Sequence, residues 1–86
     1  MEASLLKTQI IAVVDIYVPV KRKKSLDPDK VEVLAESIMS EGQKAPIHVR
    51  QDGRRLVLVE GLHRLEACIA LGEHTIQAIL VHARQH

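Results

Sequence analysis

Apolar residues divide the chain into stretches with the spacing of strands and stretches with the spacing of helices. Residues 10–18 are largely β-branched and apolar and predict a strand that ends at Pro19. Residues 47–51 alternate apolar and polar, as a half-buried strand does. Residues 56–59 are apolar on both faces, so we expect them at the centre of the sheet. Residues 75–81 predict the last strand.

Two segments show the three- to four-residue apolar spacing of amphipathic helices. The first begins at Asp27-Pro28, with the aspartate as N-cap and the proline at the first helical position, and ends at Gly42. The second runs from Gly61 to Gly72. The apolar positions are Val31, Leu34, Ala35 and Ile38 in the first helix and Leu65, Cys68, Ile69 and Leu71 in the second. We expect Val31, Leu34, Ile38, Leu65 and Ile69 in the core.

The connecting segments complete the order β-α-β-β-α-β. Residues 20–26 are polar and basic and predict a loop, and Asp52-Gly53 predicts a hairpin turn with Arg54-Arg55 starting the return strand. The pattern indicates an α/β (α+β) fold with a small mixed β-sheet and two main helices. No repeat or linker interrupts the 86 residues, so we expect one domain over residues 1–86, with its core at about 10–82.

Composition excludes some functions and leaves others. Hydrophobic residues make up 47% of the chain, and Tyr17 is the single aromatic residue, so no stacking platform for single-stranded nucleic acid is present. The net charge is +1, which gives no general field for DNA binding. Four consecutive cations, Lys21, Arg22, Lys23 and Lys24, form the clearest local cluster; they are either a solvated loop or a ligand contact.

Cellular location and metal binding follow from the same inventory. The lone Cys68 excludes an internal disulfide, no apolar run reaches about 18 residues, and the N-terminus lacks a signal-peptide pattern, so we expect a cytoplasmic protein that does not enter a membrane. The histidines are His48, His63, His74, His82 and His86. Their spacing matches no compact ligand set, and we expect no metal site.

The turn at residues 60–64 carries the clearest candidate chemistry. A strand passes directly into a helix at Gly61, and the first N–H groups of a helix lack intrahelical partners and carry the positive end of its dipole. The missing side chain of Gly61 would let a ligand approach the backbone, and Arg64 on the first turn could hold a phosphate bidentately. Alternatively, Arg64 pairs with Glu60 or Glu66 and the turn is structural.

Three segments together resemble a known family. They are Leu34-Ala35-Glu36-Ser37-Ile38 with Glu41-Gly42-Gln43, then Ala45-Pro46-Ile47-His48-Val49, and then Gly61-Leu62-His63-Arg64-Leu65-Glu66-Ala67. They resemble the "LAxSI…xGQ", "xPIxV" and "GxxRxxA" segments of the N-terminal domain of ParB-type chromosome and plasmid partition proteins, a fold shared with sulfiredoxin. The resemblance covers about residues 10–82 and implies a ParB/sulfiredoxin-like fold.

The resemblance also implies a ligand. In this superfamily the GxxR turn holds the phosphates of a nucleotide, CTP in partition proteins and ATP in sulfiredoxin. The resemblance leaves open whether Mg²⁺ binds together with the nucleotide. The residues implied in binding are Gly61, His63 and Arg64 in the turn, Gly42, Gln43 and Pro46 in the preceding segment, and Lys21, Arg22, Lys23 and Lys24 before the first long helix.

Two departures from the family limit the activity. Sulfiredoxin uses a cysteine in a Gly-Cys-His-Arg turn, and Leu62 stands at that position, so sulfiredoxin activity is not expected. Partition proteins carry a helix-turn-helix DNA-binding domain and a dimerisation region after this domain, and the chain shows neither. It is a fragment or a stand-alone module, and DNA contact would come through a missing or separate domain.

The leading functional hypothesis is a nucleotide- or phosphate-binding regulatory module of a ParB-like DNA-partition or transcription-regulatory protein. The first alternative is a phosphotransferase (NTPase) or a ParB-like nuclease that uses the same pocket with Glu60 as base. The second alternative is a degenerate domain that acts only in protein–protein interaction. The sequence leaves open whether the chain forms a homodimer.

Overall fold

A five-stranded mixed sheet with two helices packed against it forms the body of the computed structural model, which describes residues 7–82. The strands are β1 (Thr8–Ala12), β2 (Ile16–Tyr17), β3 (Ile47–Asp52), β4 (Arg55–Glu60) and β5 (Thr75–Val81). The helices are α1 (Val20–Lys23), α2 (Pro28–Glu41) and α3 (Leu62–Ala70). The predicted fold class, a small mixed sheet with two main helices, is confirmed. None of the helices within residues 7–82 is long and apolar enough to span a membrane.

The sheet has the strand order β1-β5-β3-β4-β2. Strand β3 is central; it runs antiparallel to β4 and parallel to β5. The prediction that residues 56–59 lie at the centre is therefore wrong, because β4 is one strand in from the edge and only the two-residue β2 lies beyond it. The apolar run of β4 instead reflects burial of both its faces, since the adjacent Val57 and Leu58 are 3% and 2% exposed.

The predicted strand over residues 10–18 is two strands. A 3₁₀ turn at Val13–Asp15 separates β1, which pairs with β5 at one edge, from β2, which pairs with β4 at the other. The N–H of Val13 donates to the carbonyl of His74 at 2.9 Å, which ties the turn to the residue before β5. The residues of this stretch that pack against the core are Ile11, Val13, Ile16 and Val18. Because they lie on both sides of the turn, the apolar pattern does not reveal it.

The two long helices follow the sequence signals closely. The Asp27 side chain accepts the N–H of Asp29 at 3.0 Å and caps α2, which begins at Pro28. Gly42, at φ 80°, ends α2, and its N–H donates to the carbonyl of Ile38. The predicted loop over residues 20–26 is wrong in part, because Pro19 caps a four-residue helical turn, α1, within it.

The hairpin and the core differ from expectation at several positions. Leu65 is buried as expected, whereas Val31, Leu34 and Ile38 are only half-buried, and α2 contributes no buried residue. The turn residues are Gly53 and Arg54, and Asp52 pairs with Arg55, so the return strand begins one residue later than predicted. Ile69 is 45% exposed and does not belong to the core, because its neighbour Cys68 occupies the inward face of α3. The core cluster is Ile47, Val49, Leu58, Leu62, Leu65, Cys68, Ile76 and Ala78.

Candidate functional site

A hollow of about 510 Å³, the α3 hollow, opens where β4 passes into α3. It is lined by Arg22, Ser25, Leu34, Ala45, Pro46, His48, Glu60, Gly61, Leu62, His63 and Arg64. The residues predicted for the site that line it are Arg22, Pro46, Glu60, Gly61, His63 and Arg64. The chain thus brings the basic segment, the segment before β3 and the β4–α3 turn to one place.

The N-terminus of α3 faces this hollow without a side-chain cap. Gly61 is the N-cap residue, and the first intrahelical bond runs from the N–H of Leu65 to its carbonyl at 2.9 Å. The three preceding N–H groups, at residues 62–64, therefore have no acceptor within the helix. No acidic residue lies in the first turn, so the positive end of the helix dipole is not neutralised by the helix itself.

Packing against the central strand requires glycine at position 61. Its φ of 109° lies in the left-handed region, and a Cβ there would lie 2.6 Å from Cγ2 of the fully buried Ile47. Ile47 occupies the side on which a Cβ would lie, while Gly61 also lines the α3 hollow, so the approach of a ligand to the Gly61 backbone stays a prediction. The close contact holds the α3 N-terminus against the central strand.

Arg64 and Arg22 come from separate segments, and both line the α3 hollow. Arg64 is half-buried, and its buried Nε has no hydrogen-bond acceptor among the described residues. Arg64 forms no ion pair with Glu60 or Glu66; the ion pairs among residues 7–82 are Lys44–Glu41 and Arg55–Asp52. The alternative in which Arg64 pairs with a neighbouring carboxylate is therefore wrong, and its charge is directed to no protein anion within that range.

The other cations of the basic cluster do not reach the hollow. Lys21, Lys23 and Lys24 are exposed on α1 and its C-cap, and Arg22 alone of the four lines the α3 hollow. His63 also has a partner within the protein: its Nε2 accepts the N–H of Asp27 at 2.9 Å. No local sequence signal marks this bond, which joins residues 36 positions apart.

A β-bulge aims Glu60 at the hollow. The pairing of β3 and β4 shifts between His48 and Val49, so His48 faces Glu60 while Val49 faces Leu58. Bulges of this kind redirect side chains at the ends of strands. His48, which sequence reasoning did not select for this site, consequently lines the hollow beside Glu60.

Within residues 7–82 no group of three or more His, Cys, Asp or Glu side chains could hold a metal ion. His86 lies outside the described residues.

A family model decides the relationship of this chain to known proteins. The model of the ParB N-terminal domain matches residues 2–86. The chain belongs to the ParB N-terminal domain family. A comparison with curated protein sequences found no match.

Solved structures give this ParB N-terminal domain several similar folds. Sulfiredoxin from Arabidopsis thaliana is 30% identical with a TM-score of 0.81, and the match covers 90% of this chain and 86% of that one. The chromosome-partitioning protein ParB from Caulobacter crescentus, complexed with CTP-gamma-S, is 19% identical with a TM-score of 0.78, covering 92% of this chain and 46% of that one. A free serine kinase in complex with AMP is 16% identical with a TM-score of 0.73, covering 88% and 31%.

Gly42 and Gln43 of the ParB N-terminal domain line a different hollow. This second hollow, about 260 Å³, is bordered by Cys68, Glu73 and Gln77 among others, and the α3 hollow does not include either residue. The Gln43 amide is bonded to the backbone of β5: its Oε1 accepts the N–H of Gln77 at 2.9 Å, and its Nε2 donates to the carbonyl of Gln77 at 3.0 Å. The structure thus gives Gln43 a role in holding β5, and a contact with nucleotide stays a prediction for both residues.

Replacing Gln43 with alanine is expected to lower the free energy of unfolding by about 1–3 kcal/mol, because two backbone groups of Gln77 lose a half-buried partner. Urea denaturation followed by circular dichroism measures the change. The matched control is Gln51→Ala, which removes one exposed bond to the carbonyl of Gly53 and should cost less. Equal losses in the two variants would contradict the role of Gln43.

The turn at residues 60–64 contains no cysteine, and the lone Cys68 is buried on the body of α3. Leu62, at the position where sulfiredoxins carry cysteine, is buried in the core, and Cys68 is 2% exposed. Burial raises the pKa of the Cys68 thiol; the Glu73 carboxylate raises it further, and Arg64 partly opposes them. Cys68 therefore stays a neutral thiol at physiological pH.

The raised pKa of Cys68 predicts a loss of stability at alkaline pH. An unfolded chain ionises the thiol at its ordinary pKa while the folded chain keeps it protonated, so unfolding becomes more favourable as the pH rises above the unfolded value. The Cys68 contribution to stability is complete below that pH and is lost above it. An unperturbed thiol has a pKa of about 8.5, so the effect should appear between about pH 7 and 10. Over this range, urea denaturation should show a smaller loss of unfolding free energy in Cys68→Ala than in the wild type. Equal losses in the two proteins would contradict a raised pKa of Cys68.

Proposed function

We propose that this domain is a nucleotide-binding regulatory module that holds the phosphates of CTP or ATP in the α3 hollow. The observation that carries the proposal is that two arginines line the hollow at an uncapped helix N-terminus, with the buried Nε of Arg64 lacking an acceptor among the described residues. Such a site suits an anion with several oxygens, because each guanidinium and each N–H group needs its own acceptor.

The expected magnitudes indicate that phosphate contacts alone give weak binding. A helix dipole contributes about 0.3–1 kcal/mol at an exposed site. A hydrogen bond to a charged group contributes about 1.5–3 kcal/mol. The helix and two arginines together give about 3–7 kcal/mol, which corresponds to dissociation constants from several millimolar to about ten micromolar. Contacts to the base and ribose are then needed for tight binding.

Solved relatives support the ligand class. Their structures include a ParB complexed with CTP-gamma-S and serine kinases in complex with AMP and ADP. The chain spans 46% of that ParB chain and about a third of the serine kinase chains, so roles in DNA partition or transcription regulation would depend on further domains. We propose that DNA contact, where it occurs, is made by such a domain and not by residues 7–82.

A second candidate function is phosphoryl transfer. Glu60 lines the α3 hollow through the β-bulge and forms no ion pair with Arg64, so its carboxylate is free to act as a base beside the phosphates. A nuclease that relies on a preformed metal cluster is less well supported, because residues 7–82 contain no group of three metal-binding side chains.

Calorimetric titration with CTP, ATP and ADP, each with and without Mg²⁺, tests the proposal. The corresponding nucleosides are the control, and affinity should rise with the number of phosphates. Binding without release of phosphate supports the regulatory module. Phosphate release or transfer that disappears in Glu60→Gln supports the phosphotransferase. Absence of binding by every nucleotide would contradict both functions and favour a domain that acts in protein–protein interaction.

A further inference from the structure

The two arginines of the α3 hollow come from α1 and α3, whose relative position must be fixed if both are to contact one ligand. Arg22 is on α1, a four-residue helical turn with no buried residue, and Arg64 is on the first full turn of α3. A phosphate group can engage both only if the segment that carries Arg22 is fixed relative to α3. The bond between His63 and Asp27 is placed to fix it.

Asp27 lies at the end of the segment that carries Arg22. The carbonyl of Arg22 accepts the N–H of Ser25 at 3.0 Å and the Ser25 hydroxyl at 2.8 Å, and the N–H of Leu26 donates to the carbonyl of Lys23 at 3.2 Å. These local bonds make residues 22–26 one compact turn. Leu26 packs against the core cluster, and at the next residue, Asp27, a side chain from α3 bonds to the backbone of this segment.

His63 ties that position to α3. Its Nε2 accepts the N–H of Asp27 at 2.9 Å in a half-buried setting, and it stands next to Arg64 in the chain. Among residues 7–82, the side-chain hydrogen bonds that join distant parts of the chain are this one and those of Gln43 with Gln77. Of these bonds, the one between His63 and Asp27 lies at the α3 hollow.

The chemistry of the imidazole determines what His63 can do there. To accept from Asp27, Nε2 must carry a lone pair, so the ring proton of the neutral form resides on Nδ1. Nε2 is then occupied and has no proton to donate to a phosphate oxygen. The imidazole acts on the hollow through the position of Asp27.

We infer that His63 is a positioning residue that holds Arg22 opposite Arg64, rather than a direct phosphate ligand through Nε2. The inference deepens the proposed function and rests on it. It changes the expectation from the sequence, in which His63 contacts the phosphates beside Arg64.

The test is a set of titrations with CTP, ATP and inorganic tripolyphosphate. His63→Leu removes the acceptor and should weaken binding about tenfold, roughly the loss expected for one arginine contact. His63→Gln keeps an acceptor oxygen near the place of Nε2 and should restore binding to within about threefold of wild type. His74→Leu, an exposed histidine outside the α3 hollow, is the matched control and should bind like wild type.

A double-mutant comparison separates positioning from general loss of structure. Arg22→Ala should weaken binding about tenfold in the wild type but less than about twofold in His63→Leu, because Arg22 is already misplaced there. Equal effects of Arg22→Ala in the two backgrounds would overturn the inference. So would a His63→Gln variant that binds as poorly as His63→Leu, since a direct ligand role would then explain both.

Hydrogen exchange in the unliganded protein gives a readout that needs no nucleotide. The Asp27 amide should be protected in the wild type and His63→Gln, and should exchange at least about tenfold faster in His63→Leu. Unchanged exchange would overturn the inference even if nucleotides bind. Binding of tripolyphosphate but of no nucleotide, with the same His63–Arg22 coupling, would contradict the proposed function alone. Absence of binding by all three probes would overturn both.

Discussion

Arg64→Ala is expected to weaken nucleotide binding about 10–100-fold, the largest loss of any single side chain of the α3 hollow. A charge-assisted contact contributes about 1.5–3 kcal/mol, which converts to roughly this range. Arg64 pairs with no carboxylate among residues 7–82 and has its Nε buried without an acceptor there, so its removal takes away ligand contacts and breaks no ion pair. Calorimetric titration with the preferred nucleotide measures the change.

Two further variants sharpen this result. Arg64→Lys keeps the charge but loses the bidentate geometry and should bind with an intermediate affinity. Arg54→Ala removes an exposed arginine at the β3–β4 hairpin, outside the α3 hollow, and should leave the affinity unchanged. Equal weakening by Arg54→Ala and Arg64→Ala would mean that nucleotide responds to net charge alone, and would contradict a specific phosphate contact by Arg64.

Gly61→Ala is expected to produce the largest loss of stability, about 2–4 kcal/mol. Two costs combine: an L-residue at φ 109° is strained, and its Cβ would lie 2.6 Å from Cγ2 of Ile47 in the central strand. For a domain of this size, such a loss lowers the melting temperature by roughly 10–25 °C. Thermal unfolding followed by circular dichroism measures it.

Gly53→Ala is the matched control for this prediction. Gly53 also has a positive φ, 63°, but a Cβ there meets no atom within 4 Å, so the variant carries the backbone cost without the clash. Its loss should be about 1 kcal/mol. If the two variants lose the same stability, contact with Ile47 is not what requires Gly61.

Local signals in the sequence predicted much of the fold. The N-cap at Asp27, the proline at the first position of α2 and the glycine at its end each act within a few residues, and the structure shows each where it was expected. The hairpin between β3 and β4 and the strand–glycine–helix junction at Gly61 are equally local. Such features depend on backbone preferences that short stretches of sequence express directly.

Features that depend on distant contacts were not predictable from the pattern. The break between β1 and β2 lies inside one apolar run, because residues on both sides of it pack into the same core. The bonds of Gln43 to Gln77 and of His63 to Asp27 join positions more than 30 residues apart. No periodicity or composition marks such pairs, since each forms only when the sheet and helices have assembled.

Some residues of the candidate site were also predictable from local sequence signals, and others were not. Arg64 and Glu60 were selected because they flank a recognisable junction, and both line the α3 hollow. Which of the four basic residues faces that hollow depends on the helical turn of α1, which the charge run conceals, and the structure selects Arg22. His48 was missed because only the bulge between β3 and β4 sets it beside Glu60.

The most direct test of nucleotide binding at the α3 hollow is a titration of the ¹⁵N-labelled domain with CTP and with ATP, followed by amide chemical shifts. Binding at the uncapped helix N-terminus predicts that the amides of Leu62, His63 and Arg64 shift most, because their N–H groups would face the phosphates. Shifts confined to Gly42 and Gln43 at the second hollow, or no shifts with either nucleotide, would contradict it.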